Sequence, residues 1–349
     1  MDRLAPEQHD TLEGIPAPSE SLSLIGHDAA VTSLTTAYRA GKLPHAIILT
    51  GRRGIGKATF AFHLAHYLLA NRAASDAFGA FSPRDPATSL YRQVASGAHP
   101  SVLHLTRPLN DKGNGFKTVL SVDEVRRVSR FLSHTSHDGS YRVVIVDPAD
   151  DMNRAAANAL LKNLEEPPSR TIFVLIAHSP GALLPTIRSR CQVLRLEPLA
   201  DEDMLAVMNG FDLEVPTEPG EREALLMQAG GSPRDAVLMT QYGGGDIASA
   251  LDKIVASSTL TASESHKLAD VVAGRDHTIQ FGMFNTHALD ILSAGAADAA
   301  TRGQTARADA IADAYEKSRV AILETETYNL DRKQHALSMI SRIHDAFRM

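Results

Sequence analysis

The chain has 349 residues, a formal net charge of −6, 44% hydrophobic and 22% charged side chains, and one cysteine, Cys191. That length holds two or three domains with sizeable cores. The charge excludes a general nucleic-acid binder, so any DNA contact needs a local basic face. A single cysteine excludes an internal disulfide and a cysteine-rich zinc site. The start of the chain carries Asp2 and Glu7 and no apolar signal region, and no apolar run approaches the ~20 residues that span a bilayer. A cytoplasmic protein without membrane partners is expected.

Residues 1–20 contain Pro6, Pro16 and Pro18 and little periodicity, which predicts a loosely held leader. A helix is expected from near Asp28 to Arg39. The continuous apolar run Ala46 to Thr50 has the pattern of a parallel strand buried on both faces. It leads into GRRGIGKAT (Gly51 to Thr59) and then an apolar helix to Ala70, the strand–loop–helix context of a P-loop. Gly51, Gly54 and Gly56 let backbone N–H groups turn toward phosphates at a helix N-terminus, with Lys57 reaching the outer ones. The residue after the lysine, which should offer a hydroxyl to Mg²⁺, is Ala58. Thr59 stands roughly 100° further round the helix and does not simply replace it. The alternative is a glycine turn that only joins strand to helix.

Residues 72–101 form an excursion rich in Ala, Ser, Asp, Pro and Gly, followed by a strand near Val102–Leu105. A surface hairpin or loop is expected over 107–117. Ser121 and Glu124 have the spacing of a capping box, and Val122, Val125, Val128 and Leu132 give the next helix an apolar stripe. His134 and His137 have no further ligand nearby and read as a solvated helix end. Tyr141 to Val146 is a second buried strand closed by Asp147, and Pro148 follows. Asp150 and Asp151 are expected at the start of a helix running to Leu164, where the dipole favours them. That helix stops at Glu165-Glu166-Pro167-Pro168, because proline removes a donor and restricts its predecessor. A strand (Thr171 to Ala177), a Ser-Pro-Gly turn, a second helix and Ser189-Arg190-Cys191 come next. After a strand at Val193–Leu196, helices are expected at Asp201–Met208, at Pro219–Ala229 and beyond Gly230. Gly243-Gly244-Gly245 reads as a linker. From Ile247 onward helices are expected at Ile247–Val255, Ala262–Val272, Thr278–Leu292, Ala306–Leu323 and Leu330–Phe347.

The ordered run NALLKNLEEPPSRTIFVLIAHSPGALLPTIRSRC (Asn158 to Cys191), together with the Ile25-Gly26-His27 opening and the GRRGIGKAT loop, resembles the AAA+ clamp-loader family of bacterial DNA polymerase III, above all its delta-prime branch. The resemblance implies an α/β AAA+ parallel-sheet core at 21–199, a helical lid at 200–245 and an all-α collar or oligomerisation domain at 246–349. In that family the Ser-Arg-Cys arginine, here Arg190, reaches the ATP of a neighbouring subunit, where a guanidinium suits the spread charge of a transferring phosphoryl group. Arg188 is an alternate, and an ordinary salt bridge at a helix end is the bland reading. Hydrolysing relatives place Glu after Asp147 and a polar sensor near Ala177; this chain has Pro148 and Ala177, with His178 next. An arginine corresponding to Arg234 faces the phosphates in such relatives, against the alternative of a helix-start charge. Relatives also carry a four-cysteine zinc module in the 72–101 region; no zinc is expected here. The implied nucleotide site, made of Gly51, Gly54, Gly56, Lys57, Thr59, Asp147 and Arg234, would take ATP or ADP without strong Mg²⁺ coordination. Implied partners are tau/gamma ATPase subunits and a delta subunit in a hetero-oligomeric ring, with the sliding clamp and primed DNA reached through the assembly. Two rivals stand beside this: an active AAA+ ATPase using Gly51 to Lys57 and Asp147 itself, and a regulatory module that binds nucleotide without turnover.

Overall fold

The computed structural model describes residues 3–113, 115–133, 139–211, 213, 215–274 and 276–348; His134 and His137 lie outside them. The chain divides into two compact units, Met1–Asp235 and Ala236–Met349.

The first unit is built on five parallel strands: β1 (Ala46–Thr50), β2 (Val102–Leu105), β3 (Arg142–Val146), β4 (Thr171–Ala177) and β5 (Gln192–Arg195), in the order β2-β3-β4-β1-β5. Successive side chains of a strand point to opposite faces, so each apolar run supplies two cores. Ile47, Leu49, Val143, Ile145, Ile172, Val174 and Ile176 pack against α1 (Asp28–Arg39) and α2 (Lys57–Ala70). Ile48, Val144, Val146, Phe173 and Leu175 pack against α4 (Val122–Ser133) and α5 (Arg154–Glu165) on the other face. Val125, Val128 and Leu132 are the buried stripe of α4. The 107–117 segment is a hairpin, with Leu109 bridged to Phe116 and the Lys117 amide donating to the Pro108 carbonyl.

α5 begins at Arg154, later than expected, with Asn153 as its cap: the Asn153 side chain accepts from the Ala156 amide at 2.9 Å. Asp150 and Asp151 therefore stand outside the helix in a short 3₁₀ turn. The excursion at 72–101 contains a 3₁₀ turn and α3 (Ser89–Ala95), whose Thr88 side chain accepts from the Tyr91 amide. Among the described residues no group of three or more His, Cys, Asp and Glu side chains is placed to hold a metal, and no helix is long and apolar enough to cross a membrane.

The leader differs from expectation. Ala5, Leu12 and Ala17 are buried, and the Glu20 carboxylate accepts from the amides of Leu4, Ala5 and Ala17 at 2.6, 3.2 and 3.0 Å. Arg84, itself buried, donates to the carbonyls of Pro18, Ser19 and Ser21. The prolines prevent regular structure here, but a buried guanidinium must find acceptors, and bare leader carbonyls supply them. α6 (Pro185–Arg188) is a single turn after β4. Three helices, α7 (Asp201–Gly210), α8 (Pro219–Ala229) and α9 (Pro233–Gln241), follow β5, and the division between units falls within α9.

The second unit holds α10 (Gly244–Ala256), α11 (Ala262–Val272), α12 (Thr278–Thr301), α13 (Thr305–Tyr328) and α14 (Arg332–Ala346) around one apolar core that includes Leu251, Phe284, Leu292, Met339 and Ile340. Gly243 to Gly245 are a tight turn and helix start, not a free linker. Gly243 has φ +70°, and a Cβ on Gly244 would lie 3.0 Å from both the Leu238 carbonyl and the Met283 sulfur.

Candidate functional site

The loop between β1 and α2 has the P-loop shape. Gly51, Gly54 and Gly56 have φ of +141°, +79° and +101°, which glycine adopts freely and other residues do not. His27 Nε2–H donates to the Ile55 carbonyl at 2.8 Å, tying the segment before α1 to the loop. Lys57 opens α2 and is buried. Its ammonium donates to the carbonyls of Gly51 (2.7 Å) and Arg52 (2.6 Å), so it is turned back into its own loop. Burial lowers it to about 8, against the opposing charges of Asp147 and Asp150. Moving it onto a phosphate would break two charge-assisted hydrogen bonds, worth roughly 1.5–3 kcal/mol each. Ala58 packs against the apolar core and has no oxygen to offer, while Thr59 sits half-buried one residue on.

Asp147 follows β3, with its Oδ2 3.9 Å from His104 Nε2. Asp150 does something the sequence did not signal: its Oδ2 accepts from the amides of His178 (2.8 Å) and Ser179 (2.7 Å), capping the end of β4. Burial pushes its carboxyl up despite those two amides. Ala177 is fully buried and pairs with Thr50. His178 follows, pushed down to about 3 by burial and by the charges of Lys57 and Arg53, so it is neutral beside the loop lysine.

The lid closes on the loop through side chains at the start of α9. The Ser232 hydroxyl donates to the Arg53 carbonyl (3.1 Å), and Arg52 pairs with Asp235 at 3.0 Å. Arg234 lies against Gly54, but its guanidinium is not open toward a phosphate: Nη1 donates to the Asp10 carbonyl at 2.7 Å and lies 3.9 Å from the Asp10 carboxylate. Gly51, Gly54, Gly56, Lys57, Asp147 and Arg234 are thus brought together. The residue that sequence reasoning missed is Asp10, whose segment shows neither periodicity nor motif.

Arg190 stands elsewhere. It precedes β5, and β5 runs parallel to β1 with Gln192 beside Ile47 and Arg195 beside Thr50. Arg190 therefore lies at the N-terminal edge of the sheet, and the P-loop leaves the C-terminal edge. The length of β5 alone, at ~3.3 Å per residue, sets the two edges roughly 10 Å apart along the strands. Its Nη2 pairs with Glu165 at 2.7 Å and its Nη1 donates to the Thr186 carbonyl at 3.0 Å, with about a third of the side chain exposed. Glu165 is the last residue of α5, placed there by the Glu-Glu-Pro-Pro stop. Cys191 packs against the apolar core with its thiol pushed up to about 11 by burial, which removes it as a nucleophile at neutral pH.

A parallel sheet in this order, with a glycine loop after its fourth-placed strand and a small helical lid folded onto that loop, defines a P-loop protein of the AAA+ type. Residues 26–200 match the family described as "DNA polymerase III, delta subunit". The chain belongs to this delta-prime clamp-loader family. It is 40% identical over 194 residues to DNA polymerase III subunit delta' of Pseudomonas aeruginosa, a match covering 55% of this chain and 54% of that protein. The delta' subunit of Escherichia coli is 32% identical over 212 residues, covering 60% and 58%. DNA polymerase III subunit tau of Bacillus subtilis is 27% identical over 257 residues, covering 72% and 43%. The matches span a little over half the length of the two delta' relatives.

Proposed function

We propose that this chain is a non-hydrolysing subunit of a clamp loader, which completes the ATP site of a neighbouring tau/gamma-type subunit by presenting Arg190 in trans. The observation that carries the reading is the placement of Arg190 at the edge of the sheet opposite its own P-loop, where it is partly exposed. An arginine there has no role toward Gly51–Lys57, yet it is available to another protein. Its present partner, Glu165, is about half exposed, and such pairs contribute only ~0–1 kcal/mol. The Glu165 pair therefore opposes a move of the guanidinium onto a phosphate only weakly. The chain's own loop supports the same reading: it has Ala58 where Mg²⁺ needs a hydroxyl, Pro148 where a water-activating carboxylate would stand, and a neutral His178 after Ala177. These residues do not fit Mg²⁺–ATP, and no step of hydrolysis is assigned to this site. Zinc has no place in the reading either. The partners in this account are tau/gamma and delta subunits in a hetero-oligomeric ring, acting on the sliding clamp and primed DNA, in the cytoplasm. The purified chain, given Mg²⁺ and ATP with no partner present, is expected to release no phosphate above background. Sustained Mg²⁺-dependent turnover by the chain alone, abolished by Lys57→Ala, would overturn the proposal in favour of an active ATPase.

A further inference from the structure

The leader ends on the P-loop side of the molecule in an unusual way. Residues 8–11 form a reciprocal turn: the Thr11 amide donates to the Gln8 carbonyl at 3.1 Å, and the Gln8 amide donates to the Thr11 hydroxyl at 2.9 Å. His9 and Asp10 are therefore the two central residues, the ones a turn presents outward. Asp10 faces Arg234 with both its carbonyl and its carboxylate. Arg234 in turn packs on Gly54, where a Cβ would come within 2.5 Å of it. The His9 ring lies edge-on to Phe116 of the 107–117 hairpin, 6.4 Å between centroids. Burial pushes the Asp10 carboxyl up, but His9, Arg234 and Arg53 together outweigh it and hold it below the usual carboxylate value. The turn's acid thus sits beside basic groups of the loop and of the segment that opens α9.

The other end of the leader is pinned. Arg84 and Tyr91 hold the carbonyls of residues 18–21, the Tyr91 hydroxyl donating to Glu20 at 2.7 Å, and the Ser19 hydroxyl donates to the Ala95 carbonyl at 3.0 Å. Glu20 gathers the amides of Leu4, Ala5 and Ala17 and so closes residues 4–20 into a loop. A segment that only covered apolar surface would be held through Leu12 and Ala17 alone. Here the apolar residues anchor the loop, and its tip places an acid on the arginine that packs against the P-loop. The leader also lies outside residues 26–200.

We propose that the P-loop's anion face is a binding site whose ligand is the chain's own leader: the Gln8–Thr11 turn occupies it in cis, with Asp10 taking Arg234, a basic group that a phosphate chain would recruit. This rests on reading Gly51–Lys57 as a nucleotide-derived loop, and it is independent of what Arg190 does. The site's exogenous competitors are then polyphosphates. Because the tethered acid acts at high effective concentration, a free polyphosphate binds the intact chain poorly.

The test is equilibrium dialysis of ATP, and separately of inorganic pyrophosphate, without Mg²⁺, against the full chain and its Asp10→Ala and His9→Ala/Asp10→Ala variants. The expected result is at least tenfold tighter binding to the variants. Hydrogen exchange of wild type covers the case in which a variant folds poorly: millimolar pyrophosphate should speed exchange at residues 8–12 and leave 18–21 unchanged. Equal affinity of wild type and folded variants would overturn the proposal, whether both bind or neither does, as would exchange at 8–12 that ignores pyrophosphate. None of these outcomes bears on Arg190, whose role is read from turnover in a neighbour's site.

Discussion

At Gly54 a β-carbon would lie 2.4 Å from Ser232 Oγ and 2.5 Å from Arg234 Cβ, at a φ of +79°. The residue is therefore the point where the loop and the lid touch, and its missing side chain is what lets them. Gly54→Ala is expected to destabilise the first unit by about 2 kcal/mol, from the left-handed backbone together with the overlap, read as a lower urea midpoint. A midpoint within error of wild type would mean that the lid is not seated on the loop as described. Single residues also decide what the loop has lost. On the proposed reading Ala58, Pro148 and Ala177 each stand where a hydrolytic site needs another group, and Lys57 is turned onto the carbonyls of Gly51 and Arg52.

Between α12, α13 and α14 the second unit buries a polar cluster, Asn285, Thr325 and His335, within its apolar core. His335 is buried, with Nδ1 2.9 Å from the Thr325 hydroxyl and Nε2 2.9 Å from Asn285 Oδ1. Burial first, and the Arg342 charge second, lower it to about 4 from an ordinary 6.5. The folded state thus binds fewer protons than the unfolded one between those values. Stability is fully present above pH 6.5 and falls as pH drops toward 4, by about 3 kcal/mol from this group. Urea unfolding followed through the amides of α12 and α14 should show that loss, and His335→Leu should flatten it; an equal slope in the variant would contradict the assignment. At this scale the sequence was informative where structure is local. β1, β3 and β4 are legible because a strand buried on both faces must be apolar throughout, and the stop of α5 because two prolines end it. The start of α5 was misread: Asp150 fits a helix start by charge, yet it is drawn away to the amides of His178 and Ser179. Gly243 to Gly245 look like a linker only until Leu238 and Met283 are placed around them. The leader was not legible, because its acceptors answer Arg84 and Arg234, which lie far along the chain.

For the whole first unit, the two edges of the parallel sheet carry different sets of groups. Its C-terminal edge carries a P-loop, a strand-end aspartate and a lid, all engaged by the chain's own groups. Its N-terminal edge carries Arg190, held among the described residues by Glu165 and the Thr186 carbonyl. Sequence motifs identified both sets of residues. What they did not reveal is that the leader reaches Arg234 in the first set, since a turn of Gln, His, Asp and Thr has no signature. The account predicts that damage to the two edges has unequal consequences once the chain is assembled. The most direct measurement is steady-state ATPase of a loader reconstituted from this chain, its tau/gamma-type and delta partners, the sliding clamp and primed DNA, comparing Arg190→Ala with Lys57→Ala. A finger supplied in trans accelerates hydrolysis by orders of magnitude. Arg190→Ala should therefore cost at least about tenfold of the turnover at the neighbouring site, with Lys57→Ala leaving the rate near wild type. A silent Arg190→Ala beside a crippling Lys57→Ala would show that the chain works through its own nucleotide, and the account would be wrong.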